Sequence, residues 1–166
     1  NEGTAGLVAH TTLKAGQGDL MVNCHVTGNI SGAGKIGGLI SSIGRAFEGE
    51  DFAPHETDIH VKNCSADVNI SVKVHCLEKP NIGGLIGYAN LVIIENCYAK
   101  GSINVIDGDI GGLVGYSMYA CDITRCYADV DIYASSDNKQ GRVCAGGLVG
   151  QMLAYVSVYE CYATGD

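Results

Sequence analysis

The chain has 166 residues, enough for one domain with a sizeable core at roughly 100–200 residues per domain. Its 46% hydrophobic against 17% charged residues exclude a disordered segment. A formal charge of −8 repels phosphate backbones and anionic headgroups, and no apolar run approaches the roughly 20 residues that span a bilayer, so no nucleic-acid partner and no membrane insertion are expected.

Taken in chain order, the segments repeat, which is the first thing to establish for a glycine-rich chain. Thr4-Ala5-Gly6-Leu7-Val8-Ala9 is a worn opening, followed by Asn23-Cys24-His25-Val26. The second unit opens on Ile36-Gly37-Gly38-Leu39-Ile40 and returns, after a long insertion, with Asn63-Cys64-Ser65-Ala66. Ile82-Gly83-Gly84-Leu85-Ile86 and Asn96-Cys97-Tyr98-Ala99 make the third unit. Ile110-Gly111-Gly112-Leu113-Val114 and Arg125-Cys126-Tyr127-Ala128 make the fourth, and Ala145-Gly146-Gly147-Leu148-Val149 and Glu160-Cys161-Tyr162-Ala163 the fifth. The repeated leucines stand 32, 46, 28 and 35 residues apart, the spacing of stacked repeats with insertions.

Within a unit the period is that of a strand. Val68-Asn69-Ile70-Ser71-Val72 and Val130-Asp131-Ile132-Tyr133-Ala134 alternate, and no stretch carries a helical period. The apolar parity changes between the residue three before each repeated cysteine and the cysteine itself. The chain must bend there, where Asn23, Asn63 and Asn96 accept left-handed backbone. Each unit thus offers three short strands that cannot bury their inner face alone. The expected fold is all-β, a right-handed parallel β-helix or solenoid of about five three-strand repeats over residues 1–166, a single domain expected to be a piece of a longer protein. The glycine pairs belong where backbone turns tightly or a neighbouring coil comes close.

Three excursions project from this pattern. The longest, residues 41–62, holds Phe47 and Phe52, the only phenylalanines; they either plug the loop against the solenoid or line a ligand surface. The stretches 71–81 and 135–142 are shorter. Insertions of this kind are expected at one edge.

Gly111-Gly112-Leu113-Val114-Gly115-Tyr116 with Cys126-Tyr127-Ala128, and Gly146-Gly147-Leu148-Val149-Gly150 with Cys161-Tyr162-Ala163-Thr164-Gly165, resemble the GLUG repeat of bacterial secreted and surface proteins. Ser41-Ser42 where Gly-Tyr belongs, Gln151 for the tyrosine and the worn first unit depart from it. The resemblance implies a secreted or cell-surface location and a module of the sort found in adhesins and beside the protease domain of M26 immunoglobulin A metallopeptidases.

The chemistry offered by the residues is sparse. Cys24, Cys64, Cys97, Cys126 and Cys161 form one column of core parity and are expected to be free thiols, because stacked strands point their Cβ vectors the same way. Cys97→Asp should unfold the middle of the stack and Cys97→Val should be mild. Cys121 is expected inside. No cysteine or histidine spacing suits a metal, since His55 and His60 stand five apart rather than four, and no cofactor is expected. Tyr98, Tyr127 and Tyr162 point outward and should stack as a stripe that either binds sugars or braces the ladder. Asp67, Asp129 and Asp131 form an acidic cluster with no adjacent base. The function expected is a non-catalytic spacer or ligand-display scaffold, contacting a host or matrix protein or a glycan, and neighbouring domains of its parent chain. A substrate-recognition segment of a secreted protease and a β-helix carbohydrate-active enzyme are the alternatives.

Overall fold

The computed structural model describes residues 3–13, 19–45, 59–72, 79–136 and 143–166. Phe47, Phe52, His55 and Cys76 lie outside these residues. The described residues form twenty strands and no helix, in five successive passages of four strands each. The first passage, or coil, is β1 (Gly3–Ala5), β2 (Val8–Leu13), β3 (Asp19–Val22) and β4 (His25–Ser31); the second is β5 (Lys35–Gly37), β6 (Ile40–Arg45), β7 (Ile59–Lys62) and β8 (Ser65–Val72). The third is β9 (Asn81–Gly83), β10 (Ile86–Asn90), β11 (Val92–Glu95) and β12 (Tyr98–Ile106). The fourth is β13 (Gly108–Gly111), β14 (Val114–Tyr119), β15 (Asp122–Thr124) and β16 (Tyr127–Ser135), and the fifth is β17 (Val143–Gly146), β18 (Val149–Ala154), β19 (Ser157–Tyr159) and β20 (Tyr162–Thr164).

Equal strands of successive coils pair in parallel, giving four five-stranded sheets: A (β1-β5-β9-β13-β17), B (β2-β6-β10-β14-β18), C (β3-β7-β11-β15-β19) and D (β4-β8-β12-β16-β20). The chain visits A, B, C and D in turn and then starts again. Each coil therefore has four strands, where the sequence pattern suggested three. The added division falls at the second glycine and the leucine of the Gly-Gly-Leu motif, between β13 and β14 in the fourth coil. A side chain on Gly111 would sit 2.0 Å from the Val114 carbonyl oxygen and one on Gly112 2.1 Å from that of Gly147, so the corner closes only without a Cβ.

Register keeps like with like. Ile36, Ile82 and Ile110 are aligned on sheet A, Ile40, Ile86 and Val114 on sheet B, Val61, Ile94 and Ile123 on sheet C, and Ala66, Ala99 and Ala128 on sheet D, all buried. These columns are the core. The glycine corner from A to B and the cysteine corner from C to D recur in every coil. Length varies at the other two corners: 14–18 and 46–58 fall between B and C, and 73–78 and 137–142 between D and A. The excursions thus leave from two corners, not one edge. The long one is also narrower than 41–62, because Ser41, Ser42 and Ile43 continue β6 as buried residues and Ile59–Lys62 is β7. A hydrogen bond from Ser41 Oγ to the Lys35 carbonyl at 2.7 Å lets a serine stay inside.

Candidate functional site

At the cysteine corner the residue before the cysteine is left-handed in every coil: Asn23, Asn63, Asn96, Arg125 and Glu160 have φ between 52° and 57°. The bend turns the cysteine's own N–H toward the next coil, where a sulfur accepts it. Cys24 N–H donates to Cys64 Sγ at 3.4 Å, Cys64 to Cys97 at 3.4 Å, Cys97 to Cys126 at 3.4 Å and Cys126 to Cys161 at 3.3 Å. Each thiol in turn faces carbonyl oxygens, that of Cys97 those of Glu95 and Val61 at 3.2 and 3.4 Å. The column expected from the sequence is therefore real, and all five thiols are free. It is buried at Cys64, Cys97 and Cys126 and half-buried at Cys24 and Cys161, in the first and fifth coils. Contacts with the sulfurs of Cys126 and Cys64, with burial, push the Cys97 thiol up in pKa, and burial does the same to Cys121, which is interior as expected.

Tyr98, Tyr127 and Tyr162 lie one residue beyond the column, on the outer face of sheet D. Their rings stack with centroids 4.9 and 5.1 Å apart and planes within 7°, continuing the register of His25 and Ser65, whose side chains share a 2.7 Å hydrogen bond. Both faces of Tyr127 are covered by its neighbours, so what the ladder offers outward is ring edges and hydroxyls. The acidic residues sit in the next columns. Asp67 and Asp129 flank Lys100 in register, a basic neighbour the sequence pattern did not place there. Asp129 accepts from Thr164 Oγ1 at 2.9 Å and Asp131 from the Asp166 N–H at 3.1 Å. Beside them Asn69 donates to Asn29 at 3.1 Å and accepts from Ser102 at 2.9 Å.

A second polar cluster lies where sheets A and B fold over the glycine corner. Asp109, buried on β13, ion-pairs with Lys79, accepts from Asn81 Nδ2 at 3.3 Å and has the Gln151 side-chain amide 3.0 and 3.2 Å from its oxygens, with the NH2 assigned to face them. Tyr88 and Tyr116 stack at 5.7 Å one column away, with Lys35 Nζ 4.2 Å above the Tyr88 ring. Repeat motifs alone do not single this cluster out, although a signal for it exists. Lys35, Asn81, Asp109 and Cys144 all stand two before the first glycine of the motif, and a column alignment on that glycine brings them together. A hollow of about 410 Å³ opens beside the fifth coil, lined by Val130, Ile132, Ala134, Val143 and Ala163.

Among the described residues no group of three or more histidines, cysteines or carboxylates is placed to hold a metal ion, and no helix is long and apolar enough to cross a membrane. No curated protein and no solved structure matches the chain. The GLUG motif matches residues 80–104 and 107–133, within the third and fourth coils, so the chain carries two matched GLUG motifs there.

Proposed function

We propose that this chain is a non-catalytic structural module: a right-handed parallel β-helix serving as a spacer or ligand-display scaffold of a bacterial secreted or cell-surface protein. The hand follows from the bias of parallel crossovers. The observation that carries the reading is how the polar and reactive side chains are used. Cysteine sulfurs meet N–H groups of adjacent coils, Tyr127 is sandwiched between tyrosines, and Asp129 is bonded by Thr164. Side chains committed to the copies above and below brace a stack; a catalytic set converges on a shared point in a cleft. A glycan or matrix-protein partner would meet the hydroxyl edges of Tyr98, Tyr127 and Tyr162 and the acid and amide columns beside them, or the segment bearing Phe47 and Phe52.

A hydrolase, lyase and metallopeptidase panel together with a glycan array tests this. The expected outcome is no turnover, and any glycan binding should fall with Tyr127→Phe at unchanged Tm. Turnover abolished by Asp129→Asn or Asp131→Asn would replace the module with an enzyme.

A further inference from the structure

Cys144 stands apart from the column. It is half-buried on β17, in register with Asp109 on the outward side of sheet A, and its sulfur lies 3.7 Å from Lys79 Nζ. Lys79 precedes β9, two coils earlier, and reaches across β13 because the Asp109 carboxylate holds its ammonium there. That carboxylate is itself fixed: its side chain is 4% exposed, and Asn81 and Gln151 occupy its remaining lone pairs. An amine and a thiol from distant coils are thus held side by side by a buried anion. The column thiols and Cys121, by contrast, direct their S–H groups to carbonyl oxygens within the stack.

We propose that Cys144 and Lys79 are a peroxide-responsive cross-linking pair that closes an Nζ–Sγ sulfenamide across β13. Hydrogen peroxide takes two electrons from the Cys144 sulfur, leaving one oxygen on it as a sulfenic acid and releasing the other as water. Lys79, whose side chain is 35% exposed, first loses one ammonium proton to solvent, and the resulting amine attacks that sulfur as the S–O bond breaks. The departing hydroxide leaves as water with a second proton from that nitrogen. One thiol, one ammonium and one peroxide become one N–S bond, two waters and one proton. The bond spans 65 residues of chain and staples the third coil to the fifth, so oxidation raises Tm by roughly 10 °C by restricting the unfolded chain. Excess thiol reverses it.

The test is peroxide treatment of the full chain in small molar excess, followed by non-reducing peptide mapping and a melting scan, on the wild type, Cys76→Ser, Lys79→Arg and Cys144→Ser. Far-UV circular dichroism verifies that each variant is folded. The expected result is a Lys79–Cys144 peptide pair about 2 Da lighter than its separate parts, cleaved by dithiothreitol. It should appear with the Tm gain in the wild type and Cys76→Ser, and both should be absent from the other two. Cys144 recovered as a sulfinic or sulfonic acid or in a disulfide with Cys76, with the Lys79 peptide unmodified, overturns the proposal. So does a Tm gain that persists in Lys79→Arg.

Discussion

A left-handed residue followed by a cysteine is the smallest unit of this architecture. The left-handed turn sends the cysteine's N–H along the stack, and a buried N–H without a partner costs about 1–3 kcal/mol. Sulfur is a weak acceptor, yet it is soft and small enough to sit among apolar columns while accepting that bond. Cys97→Val, which hydrophobic parity alone marks as mild, is therefore expected to destabilise by about 1–3 kcal/mol, since it strands the Cys64 N–H. Cys97→Ser keeps an acceptor and should cost less, and Cys97→Asp, burying a carboxylate, should cost most. Urea melts of the three variants check the order; a Cys97→Val variant as stable as the wild type would show that the sulfur acts only by volume. The column and its bend were legible from sequence because parity flips at Asn23, Asn63 and Asn96. The sulfur's bonding was not, because a hydrophobicity pattern counts cysteine as an alkyl group and is silent on which N–H the corner turns inward.

Among elements, the glycine corner accounts both for what the sequence pattern reveals and for what it hides. Ile-Gly-Gly-Leu-Val reads as one short apolar run, and glycine has no side chain to mark a face, so the run passes for a single strand. The chain instead folds over there, and only the collision a Cβ would make reveals it. Gly112→Ala should cost at least the roughly 3 kcal/mol at the upper end of overpacking, because its Cβ meets the backbone oxygen of Gly147 at 2.1 Å and nothing flexible can yield. Gly28→Ala has open space around the new methyl group and is penalised only by its φ of 144°, about 1 kcal/mol. Thermal melts of the two single variants compare them directly, and equal losses would mean that backbone conformation rather than contact fixes the corner. The hidden corner also conceals the cluster around Asp109. Its members come from three coils and two sheets, and only the fold over the glycines brings Gln151 to Asp109.

At the scale of the whole molecule, the described residues form four parallel five-stranded sheets in which each passage pairs with those before and after it, so stability is spread over these pairings more than held by any single contact. Several thiols contribute to it in a pH-dependent way. Burial raises the folded-state pKa of Cys121, Cys24 and Cys161 above the ordinary 9.0, while the hydrogen bond with Cys97 lowers those of Cys64 and Cys126, so the alkaline response is read at Cys121, which stands outside the column. A raised thiol pKa favours the folded state fully below the unfolded value. That contribution is lost as pH climbs through 9 toward the folded value, because the unfolded chain then ionises first. Tm is therefore expected to fall less steeply between about pH 8 and 10 in Cys121→Ala than in the wild type. A profile unchanged by that substitution would assign the alkaline loss to other groups.

The tyrosine ladder has an optical consequence. All nine tyrosines lie at or beyond Tyr88 and the chain has no tryptophan, so its tyrosine absorption and emission arise in the last three coils alone. The closely stacked, nearly parallel rings of Tyr98, Tyr127 and Tyr162 couple as a small exciton. Their signal reports the pairing of coils three to five and is blind to the first two, so a melt followed by tyrosine light and one followed by peptide absorption measure different parts of the same molecule.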